Sequence, residues 1–416
     1  MEGSNGHGDL ILRNGTALTG DGLVARPFGS LVIRGGVITD ITDEILAPDG
    51  AAEVDARGSF VSPGLIDAHV HFDLAAHPAP YLHWQRSLFI RSLTCFHNGL
   101  RALRAGITSV RDVGSADKLV LDYGKQVNAG LLLGPRVIAA GQPIVMTGGH
   151  SWEHARVANG ADEIRLAVRE QLAAGAEVIK FMASGGISTP GNPDLAELTI
   201  EELSAGIAEA HRAGVLAAAH AHSPAGIANA IRAGVDTIEH AAFADAATHA
   251  LMVEAGITLV PTVTALSPIA EGMGIPRDTV IKSLRARETF QKNTGGAISA
   301  GVTIAAGTDA GTALNPIGGL LDELQLYVQR GMSPADALRS CTVTAGRLVR
   351  RVGEDAEAGV IAVGARADLL IVPGDPLQDL EVLRRPAAVI VGGRAVDLGW
   401  LEQTLLETEP VLANAG

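Results

Sequence analysis

Eight short apolar runs, separated by helix-patterned stretches, fill residues 64–350, and no feature of this 416-residue chain restricts its fold more. The runs are LIDAHVH (65–71), ITSVRDV (107–113), RVIAAG (136–141), EVIKFMA (177–183), VLAAAHA (215–221), TIEHAA (237–242), TLVPTV (258–263) and TIAAGTD (303–309). Short apolar runs bounded by turn signals read as strands buried on both faces. Between them, ADEIRLAVREQLAAG, EELSAGIAEAHRAG and AGIANAIRAG carry helical spacing and end at Gly, a helix stop. Ser333-Pro334 opens a further helix as N-cap and first position. Eight strands alternating with helices over about 290 residues match an α/β fold of the (β/α)8 TIM-barrel type in count and length. A doubly wound open sheet is the alternative. It wants a Gly-rich phosphate turn after its first strand, where this chain has His-Val-His.

The two ends read differently. LILRNGTAL, SLVIRGGVITDI and AAEVDARGSFVSPG at the start, and GVIAVGARADLLIV and AAVIVGGRAVDL near the end, alternate apolar and polar residues and break at Gly and Pro. Each end alone is too short to bury a sheet face. We therefore expect one small β-sandwich domain from residues 1–63 and 355–416, with the barrel, distorted from ideal regularity, in 64–354.

Composition narrows the function. A net charge of −14 leaves nothing to neutralise phosphates, so no nucleic-acid partner is expected. No uninterrupted apolar stretch approaches the roughly 18 residues of a membrane span, and MEGSNGHGDLILRNG lacks the basic and apolar regions of a signal peptide. Two cysteines, Cys95 and Cys341, cannot form a disulfide scaffold and fit a reducing, cytoplasmic setting. Only five lysines stand against 27 arginines, so a lysine inside an apolar strand asks for a reason.

Polar residues collect at the C-terminal ends of the runs, the catalytic face of a barrel. The first run ends with His69 and His71, whose spacing puts both on one strand face. The fourth carries Lys180, the fifth His220 and then His222, the sixth His240 after Glu239, and the eighth Asp309. Each alone has an ordinary explanation: a hydrogen-bonded core histidine, a lysine with its ammonium in water, an aspartate N-cap. Converging on one mouth, they would be costly to bury without partners. A divalent cation resolves this, because neutral imidazole and carboxylate are its ligands.

His69-Val-His71, Lys180, His220, His240 and Asp309, in this order, resemble the ligand set of the binuclear amidohydrolase superfamily. PGLIDAHVH, GPRVIAAG, TGGH, IKFMASGGIS, AAAHAHS, GVDTIEHA, VPT, AAGTDA and ARADLLIV are similar to its Xaa-dipeptidase (prolidase-like) branch, which includes carboxypeptidase-like enzymes acting on N-acyl amino acids and ochratoxin-type amidases. The resemblance spans nearly the whole chain. It implies two divalent cations, zinc first, with Mn or Co compatible. His69, His71 and Asp309 would hold the more buried one, His220 and His240 the other, and a CO2-derived carbamate on Lys180 would bridge them. It also implies that His222 and His150, the latter in TGGH, lie near the scissile carbonyl, and that the chain forms a homo-oligomer.

The implied reaction is hydrolysis of an amide bond in a dipeptide, an N-acyl amino acid or a related amide. A metal-bridging hydroxide attacks the carbonyl, Asp309 takes its proton and returns it to the leaving amine, and His222 and His150 donate to the oxyanion. The loop after the first run holds Tyr81, His83 and Trp84; that after the third holds Met146, His150 and Trp152. Trp84 and Trp152 point to an apolar side pocket for substrate, although ordinary loop packing explains them as well. A cyclic amidohydrolase or deaminase is the alternative; mononuclear deaminases of the superfamily usually lack the lysine that Lys180 supplies. A non-catalytic relative would be expected to have lost ligands.

Overall fold

Each apolar run becomes a strand wherever its residues can be covered on both faces. The computed structural model describes residues 9–46, 50–188, 191–267, 269 and 273–414; the side chains of Tyr81 and of 409 onwards, and part of the STP segment at 188–190, lie outside that description. Central strands are β1 (Leu65–Val70), β2 (Ile107–Asp112), β3 (Arg136–Ala139), β4 (Val178–Met182), β5 (Leu216–Ala221), β6 (Thr237–His240), β7 (Thr258–Val260) and β8 (Thr303–Ile304). All eight runs therefore contain a strand, the last one shortest.

The central pairings are parallel: β1 with β2 and β2 with β3 in one sheet, and β4 through β8 in sequence in another. Backbone hydrogen bonds continue across both seams. Glu177 N donates to Ala139 O at 2.9 Å between β3 and β4. On the other side, Ala68 N donates to Ala306 O at 2.9 Å, Asp309 N to His69 O at 2.8 Å and His71 N to Ala310 O at 2.8 Å. Small residues make this curled arrangement compatible with so few aromatics: Ile66, Ala68, Ile138, Ala140, Val178, Ala218, Val260 and Ala305 share one buried cluster.

Helices follow the strands as their end signals require. Gly160–Ala174 stops at Gly175 with φ 101°, a left-handed cap that only glycine adopts without strain. Ile200–Arg212 opens with a capping box, Thr199 and Glu202 exchanging hydrogen bonds. Ser333 caps Pro334–Arg339 by accepting from Asp336 N.

Both termini enter a single eight-stranded sheet, in the order 394–395, 388–391, 369–372, 60–63, 10–19, 24–34 and 37–42, with 52–55 pairing 10–19. Strand 60–63 runs antiparallel to 369–372, from Phe60 opposite Val372 to Pro63 opposite Leu369. Leu10, Leu12, Phe28, Leu31, Val61, Leu369, Ile371 and Ile390 form its buried cluster, drawn from both ends. The last residues depart from the strand pattern expected of them: Leu398–Asn414 is a helix. It leaves the sheet and packs Leu401 on Leu100 and Leu103 of the helix Leu88–Arg104. Among the described residues, no helix is long and apolar enough to cross a membrane.

Candidate active site

The C-terminal ends of β1, β4, β5, β6 and the segment past β8 converge on one cleft. His69, His71, His150, Lys180, His220, His222, His240 and Asp309 all line it. Three of its corners use backbone conformations that non-glycine residues avoid: His240 has φ 72°, Thr262 φ 55° and Asp309 φ 58°. Each such residue costs of order 1–3 kcal/mol and persists only where its surroundings enforce it.

The imidazoles are close together. Ring centroids lie 5.5 Å apart for His69 and His71, 4.8 Å for His69 and His240, 4.7 Å for His220 and His240, and 4.3 Å for His150 and His220. Asp309 Oδ1 is 3.1 Å from His71 Nε2 and 3.4 Å from His69 Nε2. His69, His71 and Asp309 each offer a ligand atom, all within 4.8 Å of one another.

Three rings are held by one nitrogen so that the other faces the cleft. His69 Nδ1 is 2.7 Å from Glu239 Oε2, His71 Nδ1 is 2.8 Å from Gly114 O, and His240 Nδ1 is 2.7 Å from Thr262 Oγ1. This is how metal-ligating histidines are oriented by their outer partners. His220 is turned the other way, with Nε2 3.3 Å from Gly185 O, so Nδ1 is the atom it could offer a metal. Of the rings expected to hold a cation, His69 has a buried Nε2 that makes no hydrogen bond, with only the Asp309 carboxylate near it, at 3.4 Å. An orphaned acceptor in a buried cluster is costly, and a cation would satisfy it. The donor set thus fits divalent metal.

Charge supports the same fit. Burial pushes His222 down to about 4 and His150 to about 3, and holds His220 and His240 well below the usual imidazole range. These rings are neutral at pH 7, the form that coordinates. Burial also opposes charge on His71, but the Asp309 carboxylate outweighs it and raises His71. For Asp309, burial favours the neutral acid, and the adjacent His69 and His71 imidazoles overcome it, holding the carboxyl far below its ordinary value. Lys180 is 2% exposed. Burial pushes its ammonium down to about 8, far below an ordinary lysine.

The sequence reading missed the groups beneath the candidate ligands. Glu239 is fully buried and bridges His69 to Arg111, whose Nη2 donates to Glu239 Oε1 at 2.8 Å; Thr237 Oγ1 donates to the same oxygen at 2.6 Å. Arg111 Nε donates to Ala68 O at 2.6 Å. A Glu preceding His240 and an Arg inside ITSVRDV, both in apolar runs, were the available signals. His154 was also missed; it lines the cleft and sits 4.1 Å from the Trp84 ring. Trp84 lines the cleft, with Nε1 donating to Asp73 Oδ2 at 2.9 Å. Trp152 is not among the lining residues and is 47% exposed, although Ser151 and His154 on the same loop do line the cleft.

The sequence profile of the amidohydrolase family matches residues 60–396. The chain belongs to the amidohydrolase family. It is an enzyme acting on amide bonds, in a family that generally uses divalent metals. It is 32% identical to the ochratoxinase of Aspergillus niger, over 91% of this chain and 84% of that one. A prolidase solved with N-methylphosphonate-L-proline superposes with a TM-score of 0.85 at 32% identity, covering 93% of this chain and 99% of its own. A Xaa-Pro dipeptidase with bound methionine in its active site superposes with a TM-score of 0.82 at 30% identity, again over 93% and 99%.

Proposed function

We propose that this amidohydrolase cleaves the amide bond of a dipeptide, an N-acyl amino acid or a related amide at a two-cation centre. His69, His71 and Asp309 would hold one cation, His220 and His240 the other, and Lys180, as its carbamate, both; zinc is the expected metal. The body around the cleft, residues 64–354, is a distorted (β/α)8 barrel in this reading, and 1–63 with 355–416 its β-domain. The observation that carries it is Lys180: a lysine buried among four histidines and an aspartate, its amine pushed towards the neutral form. A neutral amine adds CO2, and the resulting anion suits a site where an ammonium would repel cations.

When bound, the cations supply Lewis acidity and lower the pKa of water so that hydroxide exists near neutral pH. Asp309, anionic and directed into the cleft beside His69 and His71, takes the proton of the attacking water and delivers it to the leaving nitrogen. His222 and His150, neutral and on the cleft wall, donate N–H to the oxygen of the tetrahedral species. Trp84 and His154 form one side of the substrate channel, and Leu266, Ile269 and Phe290 an apolar side facing the cleft.

The test is elemental analysis of the purified enzyme together with a screen of dipeptides and N-acyl amino acids. Two cations per chain and hydrolysis of at least one class are expected, with Lys180→Ala losing most bound metal and regaining part of its activity with short carboxylic acids. A crystal structure showing a free ammonium at Lys180 beside one fully occupied metal would overturn the reading.

A further inference from the structure

Glu323 takes no part in the chemistry above, yet it is fully buried on the helix Leu320–Val328. Both of its carboxylate oxygens are committed to main chain. Oε1 accepts from Val263 N at 2.7 Å and Oε2 from Thr264 N at 2.7 Å. A carboxylate is an expensive group to bury, and here it grips two consecutive amides just past β7.

The residue before that grip is Thr262, at φ 55°. A β-branched residue enters this left-handed region only under constraint. In this conformation Thr262 Oγ1 lies 2.7 Å from His240 Nδ1. Thr264 is tied onward, its Oγ1 donating to Thr308 O at 3.3 Å, next to Asp309. The chain of contacts therefore runs from Glu323 through two amides to a strained threonine and then to a ligand imidazole.

We infer that Glu323 is a positioning residue for the second cation: its clamp on Val263 and Thr264 holds Thr262 in the strained conformation that fixes the His240 ring with Nε2 turned into the cleft. The inference rests on the two-cation reading for its metal arm. It differs from a simple staple between helix and ring, because a staple would not act through the Thr262 hydroxyl.

The test uses the full chain with Zn2+ as the probe and two substitutions. Glu323→Gln keeps size but sets an NH2 against one amide donor; Thr262→Val keeps the β-branch and deletes the hydroxyl. Both are expected to bind the first Zn2+ as the wild type does and to weaken the second by about 10–100-fold, the usual consequence of removing an outer partner. Dialysed stoichiometry then falls from two towards one. The double variant should be no worse than either single one, since the two act in series. In metal-free protein, imidazole 15N shifts should show one His240 tautomer, Nδ1–H, in the wild type and in Thr262→Ser, and a mixture in the other variants.

Wild-type second-site affinity in Thr262→Val, or an unchanged His240 tautomer in Glu323→Gln, would overturn the inference. Loss of both cations together with folding in Glu323→Gln, while Thr262→Val behaves as wild type, would reduce Glu323 to a staple. If Glu323→Gln does not fold, Glu323→Asp, which draws the oxygens back by one methylene, carries the same expectation. A wild type that binds one Zn2+ refutes the two-cation reading, and the tautomer measurement still decides for or against Glu323.

Discussion

Glu239→Gln separates two roles that one buried carboxylate performs. In the folded chain, Glu239 and Arg111 are both fully buried, with Oε1 2.8 Å from Arg111 Nη2 and Oε2 2.7 Å from His69 Nδ1. Arginine does not deprotonate in proteins, so the substitution strands a buried guanidinium. Breaking a buried pair from one side costs about 3–5 kcal/mol. Arg111 keeps its bonds to Ala68 O and Thr237 Oγ1, which places the expected loss near the lower end, about 3 kcal/mol. Separately, His69 loses the carboxylate that orients it, which should weaken the first cation by about 10–100-fold. Calorimetry on metal-free protein reads the first effect and metal titration reads the second.

The compensated variant Glu239→Leu/Arg111→Met removes both charges and should recover most of the stability, but not the metal affinity. The pH dependence has a definite sign. Burial raises the Glu239 carboxyl, but Arg111 and His69 outweigh it and hold it well below its ordinary value. Its stabilisation is therefore complete above the unfolded-state value of about 4.3 and fades only as pH falls below that. The gap between wild type and variant should stay constant from pH 6 to 8 and close in acid. A Glu239→Gln protein destabilised by less than about 1 kcal/mol, or a double variant with restored metal affinity, would refute the reasoning.

Other outcomes follow from single contacts. Asp309→Asn keeps one oxygen ligand but cannot carry a proton, so metal content should largely persist while turnover drops by roughly 10²–10⁴-fold; near-wild-type turnover with metal confirmed would leave Asp309 a ligand only. A Cβ at Gly186 would fall 2.0 Å from His150 Nδ1, so Gly186→Ala should displace that ring and lower kcat/KM at unchanged metal stoichiometry, as kinetics beside elemental analysis would show. Burial pushes Glu197, which accepts from His150 N, up to about 7. The folded state thus resists an ionisation whose midpoint in the unfolded chain is near pH 4.5. Glu197→Gln should gain stability relative to wild type as pH rises through that window; melting curves at pH 5 and pH 8 that differ equally for both proteins would contradict this.

The eight central strands were legible because burial on both faces leaves an apolar run that few other structures produce. The final run was legible only in part: β8 ends at Ile304, and the chain then bends so that Asp309, at φ 58°, faces the cleft. The residues proposed as ligands could be picked out in the sequence because they lie in or just past the apolar runs. Their supports could not. Glu239 reaches His69 across 170 positions and Arg111 reaches Glu239 across 128, so either role needs knowledge of which strands are neighbours. Trp152 shares a loop with the cleft residues His150 and His154 yet is 47% exposed, and the sequence of a loop does not say which way each side chain turns. The C-terminal helix was hidden by weak signals, with Pro410 inside it and Leu401 its buried anchor.

The terminal sheet imposes an order on synthesis. Strand 60–63 leaves the ribosome early, but its partner, 369–372, is made some 300 residues later. At about 5–20 residues per second, that edge waits on the order of 15–60 s with its amides and carbonyls unpaired. An exposed strand edge is a template for the wrong partner, so the N-terminal strands spend the whole translation of the catalytic body at risk of pairing with another nascent chain. Slower elongation should lower the soluble yield of this protein, whereas a circular permutant that begins near residue 355 and links residue 416 to residue 1 would bring both halves of the sheet together within one short stretch of synthesis.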